Sequence, residues 1–266
     1  FEEACFSHYF CFGDYEADEF KKLNVKIDNF YPVGSVRLAN FLDFMIKKKL
    51  NEQDYSSDVC LISEDMEGMN KFYKNKNFEK NFCQTAQFTI DFCIKHKKKM
   101  LFAVKRDKKY LPVVETGIVD FFKKEMEYYK NYLSPEAFQY MEENLMDRNE
   151  GEYSSYRAMY FSKITVGTVT TMLKEKLTLG GKILACNQSK MNWLNFPIEG
   201  ICSLNNCRFD EFEKRMFEIF KISHDEYFSK ISRKKTYLMN YNPKYSSLDM
   251  IKDKIQSFGY RQIRQA

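Results

Sequence analysis

The stretch from residue 154 to residue 187, SSYRAMYFSKITVGTVTTMLKEKLTLGGKILACN, constrains the fold more than any other part of the chain. Its segments 163–166 and 182–186 are short and mostly apolar, which is typical of strands covered on both faces. Between them Gly167 permits a tight turn, threonines begin a helix, and a pair of glycines ends it. The stretch therefore predicts a strand–helix–strand unit whose helix begins at the carboxyl end of a strand. Open α/β sheets bind their ligands at that edge.

Segments of the same two kinds continue along the chain. Strand-like runs at 59–63, 100–104 and 198–204 alternate with helical patterns, such as the one at 78–96. Strands separated by helices of this length predict an α/β, Rossmann-like fold, a doubly wound parallel sheet with helices on both faces. Residues 1–40 contain pieces too short to form a core of their own. They resemble the tail of one α/β domain with a connector into the next.

The composition narrows the classes of function. The net charge of +5 is spread over scattered lysines, without the dense basic face of a nucleic-acid-binding protein, although weak attraction to an anionic membrane surface remains open. No apolar run approaches the roughly 20 residues that span a bilayer. The eight cysteines form no CxxC pair, which predicts a reducing environment without disulfides or structural zinc. We therefore expect a cytoplasmic protein, working in solution or at the inner face of the membrane.

The predicted helix after Gly167 presents a threonine and a carboxylate on one face. Thr171 and Glu175 are four positions apart, which places Glu175 about 6 Å further along the helix axis. Free N–H groups and hydroxyls at a helix start suit a phosphate, and a carboxylate one turn later suits two sugar hydroxyls. This spacing fits the phosphate and ribose of one nucleotide. The alternative is that the threonines only cap the helix and that Glu175 is a solvated surface residue.

Three motifs carry a resemblance to a known family. GSVRL follows an extended FYPV segment within residues 30–40, SYRAMYFS precedes the strand that ends at Gly167, and TTMLKEKLTLGGKIL follows that strand. Together they are similar to the bacterial surface-carbohydrate biosynthesis family, which resembles two-domain glycosyltransferases of the GT-B type and, more distantly, the CDP-glycerol glycerophosphotransferases. One position departs from the family pattern. Lys176 stands where a small residue normally packs, which predicts a disturbed contact between helix and sheet.

The resemblance implies that residues 41–266 form the nucleotide-donor domain of a GT-B-type enzyme and that residues 1–40 are the remnant of its acceptor domain plus the linker. It implies transfer without a metal ion or cofactor, since helix N-termini and basic side chains stabilise the leaving phosphate. The donor would be a CMP-, CDP- or UDP-linked sugar, and the acceptor a glycan or lipid-linked glycan in cell-surface polysaccharide, capsule or lipopolysaccharide biosynthesis. Two alternatives remain open: polyol-phosphate transfer from a CDP-alcohol, and a non-catalytic nucleotide-sugar-binding or assembly module.

The same resemblance places roles on individual residues. The expected nucleotide-binding residues are Ser35, Arg37, Arg157, Gly167, Thr170, Thr171 and Glu175. The two threonines would hold the donor phosphate, and the glutamate would bind the ribose hydroxyls. Arg106, at the end of a strand, would neutralise charge on the leaving group, unless it is a surface arginine beside Asp107. Arg157 would assist it, unless it pairs with an acid on the helix surface. Glu64 is placed like a general acid/base at a strand end, unless its acidic loop is solvated.

Overall fold

The computed structural model describes residues 5–49, 56–66, 68–69, 78–105, 113–114, 117–118, 120–146 and 153–258, with 113–114 and 117–118 described by backbone alone. The chain divides into two compact units, Phe1–Leu50 with Arg233–Ala266, and Asn51–Ser232. The predicted boundary at residue 40 differs from this division because helix 36–48 packs against helix 247–257 within the smaller unit. The assignment of acceptor and donor domains stays a prediction.

The described residues form ten strands and ten α-helices. The strands are β1 Cys5–Cys11, β2 Lys26–Pro32, β3 Ser57–Ile62, β4 Met100–Ala103, β5 Val113–Val114, β6 Gly117–Ile118, β7 Leu145–Met146, β8 Ser162–Gly167, β9 Lys182–Asn187 and β10 Ser203–Asn205. The α-helices are α1 Asp14–Lys22, α2 Val36–Lys48, α3 Phe78–Lys95, α4 Phe121–Tyr132, α5 Pro135–Glu143, α6 Ser154–Phe161, α7 Thr171–Thr178, α8 Phe209–Lys221, α9 His224–Ser229 and α10 Ser247–Ser257.

The smaller unit contains a parallel pair of strands. β1 and β2 run side by side, with α1 connecting them. The chain then enters α2 through Gly34, whose φ of 81° lies in the left-handed region that favours glycine. Ser35 caps α2, since its Oγ accepts a hydrogen bond of 3.1 Å from the N–H of Leu38.

The larger unit is built on a parallel sheet in the order β10–β9–β8–β3–β4–β7. Counted along the chain from β3, this is the order 6-5-4-1-2-3, and the direction of winding reverses between β3 and β8. The helices form two packed groups, α3 with α4, α5 and α8, and α6 with α7, and each group contacts strands of the sheet. The predicted α/β class and parallel sheet are confirmed.

The central strands are buried on both faces. Val59, Val166 and Ile183, one on each of β3, β8 and β9, are all fully or almost fully buried. Continuous apolar runs of this kind are expected where helices cover a parallel sheet. Cys60 and Cys186 are likewise core residues within these strands, as their positions in the sequence predict.

The predicted sixth strand at 198–204 is wrong over most of its length. Only Ser203–Asn205 pairs with β9. The residues before it turn away because Gly200 has a φ of 116° and pairs with Ile231, while the N–H of Ile201 donates to the carbonyl of Lys230. The apolar residues 198 and 201 are buried without being part of a strand.

None of the described helices is both long enough and apolar enough to cross a bilayer.

Candidate functional site

The reversal of strand order places two loops side by side at the carboxyl edge of the sheet. Residues 63–66 follow β3, and residues 168–170 follow β8 and lead into α7. β3 and β8 are direct neighbours, with Leu61 opposite Val166. In doubly wound sheets, the crevice at such a reversal is where ligands bind. This edge is therefore the candidate site.

A carboxylate of the chain itself occupies the start of α7. Oε1 of Glu64 accepts hydrogen bonds from the backbone N–H groups of Thr168 at 3.0 Å, Val169 at 2.9 Å and Thr170 at 3.1 Å. Three converging N–H groups at the positive end of a helix dipole form an anion-binding loop. Burial raises the pKa of Glu64, while these N–H bonds and the charge of Lys105 oppose that rise. Glu64 is only 8% exposed, so its own side chain is not a solvated one, and its role as general acid/base stays a prediction.

A second carboxylate lies beside the ends of β3 and β4. Oε1 of Glu125, on α4, accepts hydrogen bonds from the hydroxyl of Ser63 and from the N–H of Lys105, the latter at 2.9 Å. The hydroxyl of Ser63 also lies 2.9 Å from that of Tyr129. A small cavity at this point is lined by Glu64, Asp65, Met66, Lys105, Phe121, Glu125 and Tyr128.

Sequence reasoning assigned no role to Glu125. Its spacing of four from Tyr129 was the available signal, since both then lie on one helix face.

The predicted phosphate-binding threonines lie at this edge and differ in exposure. Thr170 is buried, and its hydroxyl caps α7 by accepting a bond of 3.4 Å from the N–H of Met172. Thr171, the first helical residue, is exposed. Gly167 leaves little room before them, because an added Cβ would lie 3.3 Å from the methyl carbon of Thr170. The role of these three residues in phosphate binding stays a prediction.

Glu175 faces the interior of the protein. The side chain is 1% exposed, and its Oε1 accepts a hydrogen bond of 3.0 Å from the hydroxyl of Tyr156 on α6. The alternative of a solvated surface glutamate is therefore wrong. The predicted contact with ribose stays a prediction, and it would require the ligand to reach a carboxylate buried between α6 and α7.

The remaining predicted residues are Ser35, Arg37, Arg106 and Arg157. Arg106 lies outside the described residues. Arg157 is a half-buried residue of α6. Ser35 and Arg37 belong to the other compact unit, where Ser35 caps α2.

Lys176 does not disturb the packing of α7, contrary to expectation. Its side chain is 5% exposed, and its ammonium donates to the carbonyls of Met159, Tyr160 and Ser162 at 2.8, 2.8 and 2.9 Å. These carbonyls lie at the C-terminal end of α6, where a cation is favourable. The methylene chain of Lys176 fits because residue 181 is a glycine. A Cβ at that position would lie only 2.3 Å from Cε of Lys176. Burial lowers the pKa of Lys176 to about 8.

A larger cleft of about 730 Å³ lies at the opposite, amino edge of the sheet, which we call the amino-edge cleft. Its lining includes Lys176 and Lys182. The ammonium of Lys182 donates to the carbonyls of Ile219 and Ile222 at the end of α8. Two ammonium groups in the lining are therefore already bound to helix C-termini. The cleft is distinct from the carboxyl edge, where the sequence predicts that a nucleotide binds.

Comparison with known proteins finds a distant structural similarity and no match in sequence. No known protein family and no curated protein matches the sequence. Among solved structures, the chain is similar to a trehalose-6-phosphate synthase, OtsA, with a TM-score of 0.42 and 10% identity over 89% of this chain and 52% of that one. The chain thus spans about half the length of that protein.

Proposed function

We propose that this chain carries the nucleotide-donor site of a sugar transferase, at the strand reversal between β3 and β8. The donor phosphate would bind to the N–H groups of residues 168–170. The observation that carries the proposal is that these three N–H groups converge on one carboxylate oxygen, that of Glu64, at the carboxyl edge of the sheet. The backbone is thus already arranged to hold an anion in the crevice where doubly wound sheets bind nucleotides.

The chemistry would follow from an exchange of anions. When a donor phosphate takes the three N–H groups, the carboxylate of Glu64 must leave them. An acceptor hydroxyl then attacks the anomeric carbon of the sugar and the bond to the leaving phosphate breaks. The N–H groups and the positive end of α7 stabilise the charge that develops on that phosphate. Glu64, released at the same edge, would accept the proton of the acceptor hydroxyl as general base.

The finer assignment follows the sequence motifs. We propose a CMP-, CDP- or UDP-linked sugar as donor, a glycan or lipid-linked glycan as acceptor, and the carboxyl-terminal half of a GT-B-type enzyme as the architecture. Polyol-phosphate transfer from a CDP-alcohol would use the same phosphate contact and differ in releasing CMP. The predicted place of action, at the inner face of the membrane in cell-surface polysaccharide biosynthesis, belongs to this proposal.

The test is calorimetric binding of CMP, CDP, UDP and GDP to the chain. We expect saturable binding of at least one nucleotide and loss of that binding in Gly167→Val, whose side chain would press on Thr170 and Leu173 beside the loop. Circular dichroism would show that this variant is folded, and Glu199→Gln, at an exposed position, is the matched control. Absence of binding to all four nucleotides, in this chain and in any longer form that contains it, would refute the proposal.

A further inference from the structure

Two cysteine thiols meet next to the carboxyl end of β9. Sγ of Cys186 lies 3.8 Å from Sγ of Cys207, although the residues are 21 positions apart. Cys186 is the penultimate residue of β9, and Cys207 follows β10 after Asn206. Asn206 has a φ of 50°, and its N–H donates to the carbonyl of Asn187 at 2.7 Å. This turn brings Cys207 back over Cys186. The sulfur atoms need to approach by less than about 2 Å to reach disulfide bonding distance.

The surroundings of the two sulfurs are unequal, which gives them different roles. Cys186 is fully buried, whereas Cys207 is 8% exposed and is the one that a solute meets first. The amide of Gln188 donates to both sulfurs, at 3.2 Å to Cys186 and 3.1 Å to Cys207. The hydrogen bond from the thiol of Cys186 lowers the pKa of Cys207, while the same bond raises that of Cys186. A thiolate on Cys207 is therefore stabilised by two donors.

We propose that Cys186 and Cys207 form a modification site, a thiol pair that a hydroperoxide oxidises to a disulfide. The thiolate of Cys207 attacks the peroxide, the O–O bond breaks, and Cys207 becomes a sulfenic acid while an alcohol, or water, leaves. The sulfur of Cys186 then attacks the sulfur of Cys207, the S–O bond breaks, and water leaves with the proton of Cys186. The two thiols lose two electrons and two protons, which the hydroperoxide takes up.

The site does not depend on the proposed nucleotide function. Disulfides in reducing compartments are typically transient and redox-sensing, and this pair fits that class because its reduced form is already packed and hydrogen-bonded. Gln188 acts as a positioning residue, since its amide bridges the two sulfurs.

The experiment treats the folded chain with hydrogen peroxide, quenches it with an alkylating agent and maps the peptides by mass spectrometry. We expect a disulfide-linked peptide containing Cys186 and Cys207, with two of the eight thiols lost in the first phase. Cys207→Ser should lose this phase, and Gln188→Leu should slow it about tenfold. The matched control is Cys202→Ser, because Cys202 is buried nearby and its thiol donates to the carbonyl of Ile198 instead.

Two results would overturn the proposal. One is over-oxidation of Cys207 without a linked peptide, and the other is loss of several thiols together at equal rates. Peptide mapping of the wild-type protein after peroxide treatment distinguishes these results from the expected one, even if the serine variant does not fold.

Discussion

At each edge of the central sheet a buried charged side chain hydrogen-bonds to backbone groups beside a helix end, and the two side chains carry opposite charges. At the carboxyl edge, the carboxylate of Glu64 binds the N–H groups at the start of α7. At the amino edge, the ammonium of Lys176 binds carbonyls at the end of α6. Glu64 satisfies N–H groups of the loop that leads into α7, and Lys176 satisfies carbonyls at the end of α6 that have no intrahelical partner.

The two internal charges differ in how firmly they are held. Lys176 has three N–H groups, and three carbonyls accept from them, so every donor of the ammonium already has a hydrogen-bond partner within the protein. Glu64 presents one oxygen to three N–H groups, beside a cavity and the backbone of a turn. An external phosphate offers more acceptors to the same N–H groups. We infer that the ammonium of Lys176 stays in its place beside the amino-edge cleft, and that the N–H groups at the carboxyl edge can exchange the carboxylate of Glu64 for an external anion.

The largest effect expected from this comparison is the pH dependence that Lys176 creates. Its pKa falls from an ordinary value of 10.5 to about 8 in the folded protein. Between these values the unfolded chain binds the extra proton, so the free energy of unfolding rises with pH, by up to about 3 kcal/mol. The contribution is present above pH 10.5 and lost as the pH falls through 8. Urea unfolding at pH 7.5 and 10 should show this rise relative to Lys176→Met.

A flat difference between the two proteins over that range would contradict the prediction. It would mean that the ammonium is as stable between the carbonyls as it is in water. Other lysines and tyrosines titrate in both proteins, so only the difference between wild type and variant is informative.

The next effect is the loss of stability in Lys176→Met at pH 7. The substitution leaves the carbonyls of Met159, Tyr160 and Ser162 without their donor, and we expect a cost of about 2 kcal/mol after the relief of a buried charge is taken into account. Lys163→Met is the matched control, because Lys163 is exposed and its ammonium pairs with Asp58 at 2.8 Å at the surface. That change should cost under about 1 kcal/mol. Equal costs in thermal or urea unfolding would remove the distinction between the buried and exposed lysines.

Lys176 also shows what the sequence could and could not predict. The pattern at 154–187 predicted β8, α7 and β9 correctly because hydrophobic period and glycine position are local signals. It did not predict that a lysine could replace a small residue, because the compensating space at Gly181 is visible only once the turn after α7 is folded.

The features of the candidate site that the sequence did not predict depend on contacts between residues far apart in the chain. Glu64 was identified at a strand end from sequence, but its partners lie 104 to 106 positions away and depend on β3 pairing with β8. The same holds for Glu125, 62 positions from Ser63. Glu175 has the predicted helical spacing from Thr171, and it is the packing of α6 that directs it inward.

A smaller effect, on nucleotide affinity, is expected for Glu64→Gln. It tests directly whether the anion at the carboxyl edge can be exchanged. The neutral amide oxygen holds the N–H groups of residues 168–170 less firmly than the carboxylate does and does not repel a phosphate. We expect binding of the nucleotide found in the panel to tighten about tenfold, or about 1.4 kcal/mol. In any form of the protein that transfers sugar, turnover should fall, because the base is lost. Unchanged affinity in calorimetry would mean that the phosphate does not use these N–H groups.

The smallest effect is expected at the hydroxyls in front of α7. In Thr170→Ala the loss of a long cap bond of 3.4 Å should cost about 0.5 kcal/mol of stability. If that hydroxyl also contacts the donor phosphate, nucleotide affinity should fall a further threefold to tenfold, and Thr170→Ser should retain it. Thr171→Ala removes an exposed hydroxyl one residue on and is the variant to compare, since both threonines are predicted to bind the phosphate. A larger loss in Thr171→Ala than in Thr170→Ala would place the phosphate on the outer side of the helix start, away from Glu64, and the exchange of anions at the carboxyl edge would then be the wrong mechanism.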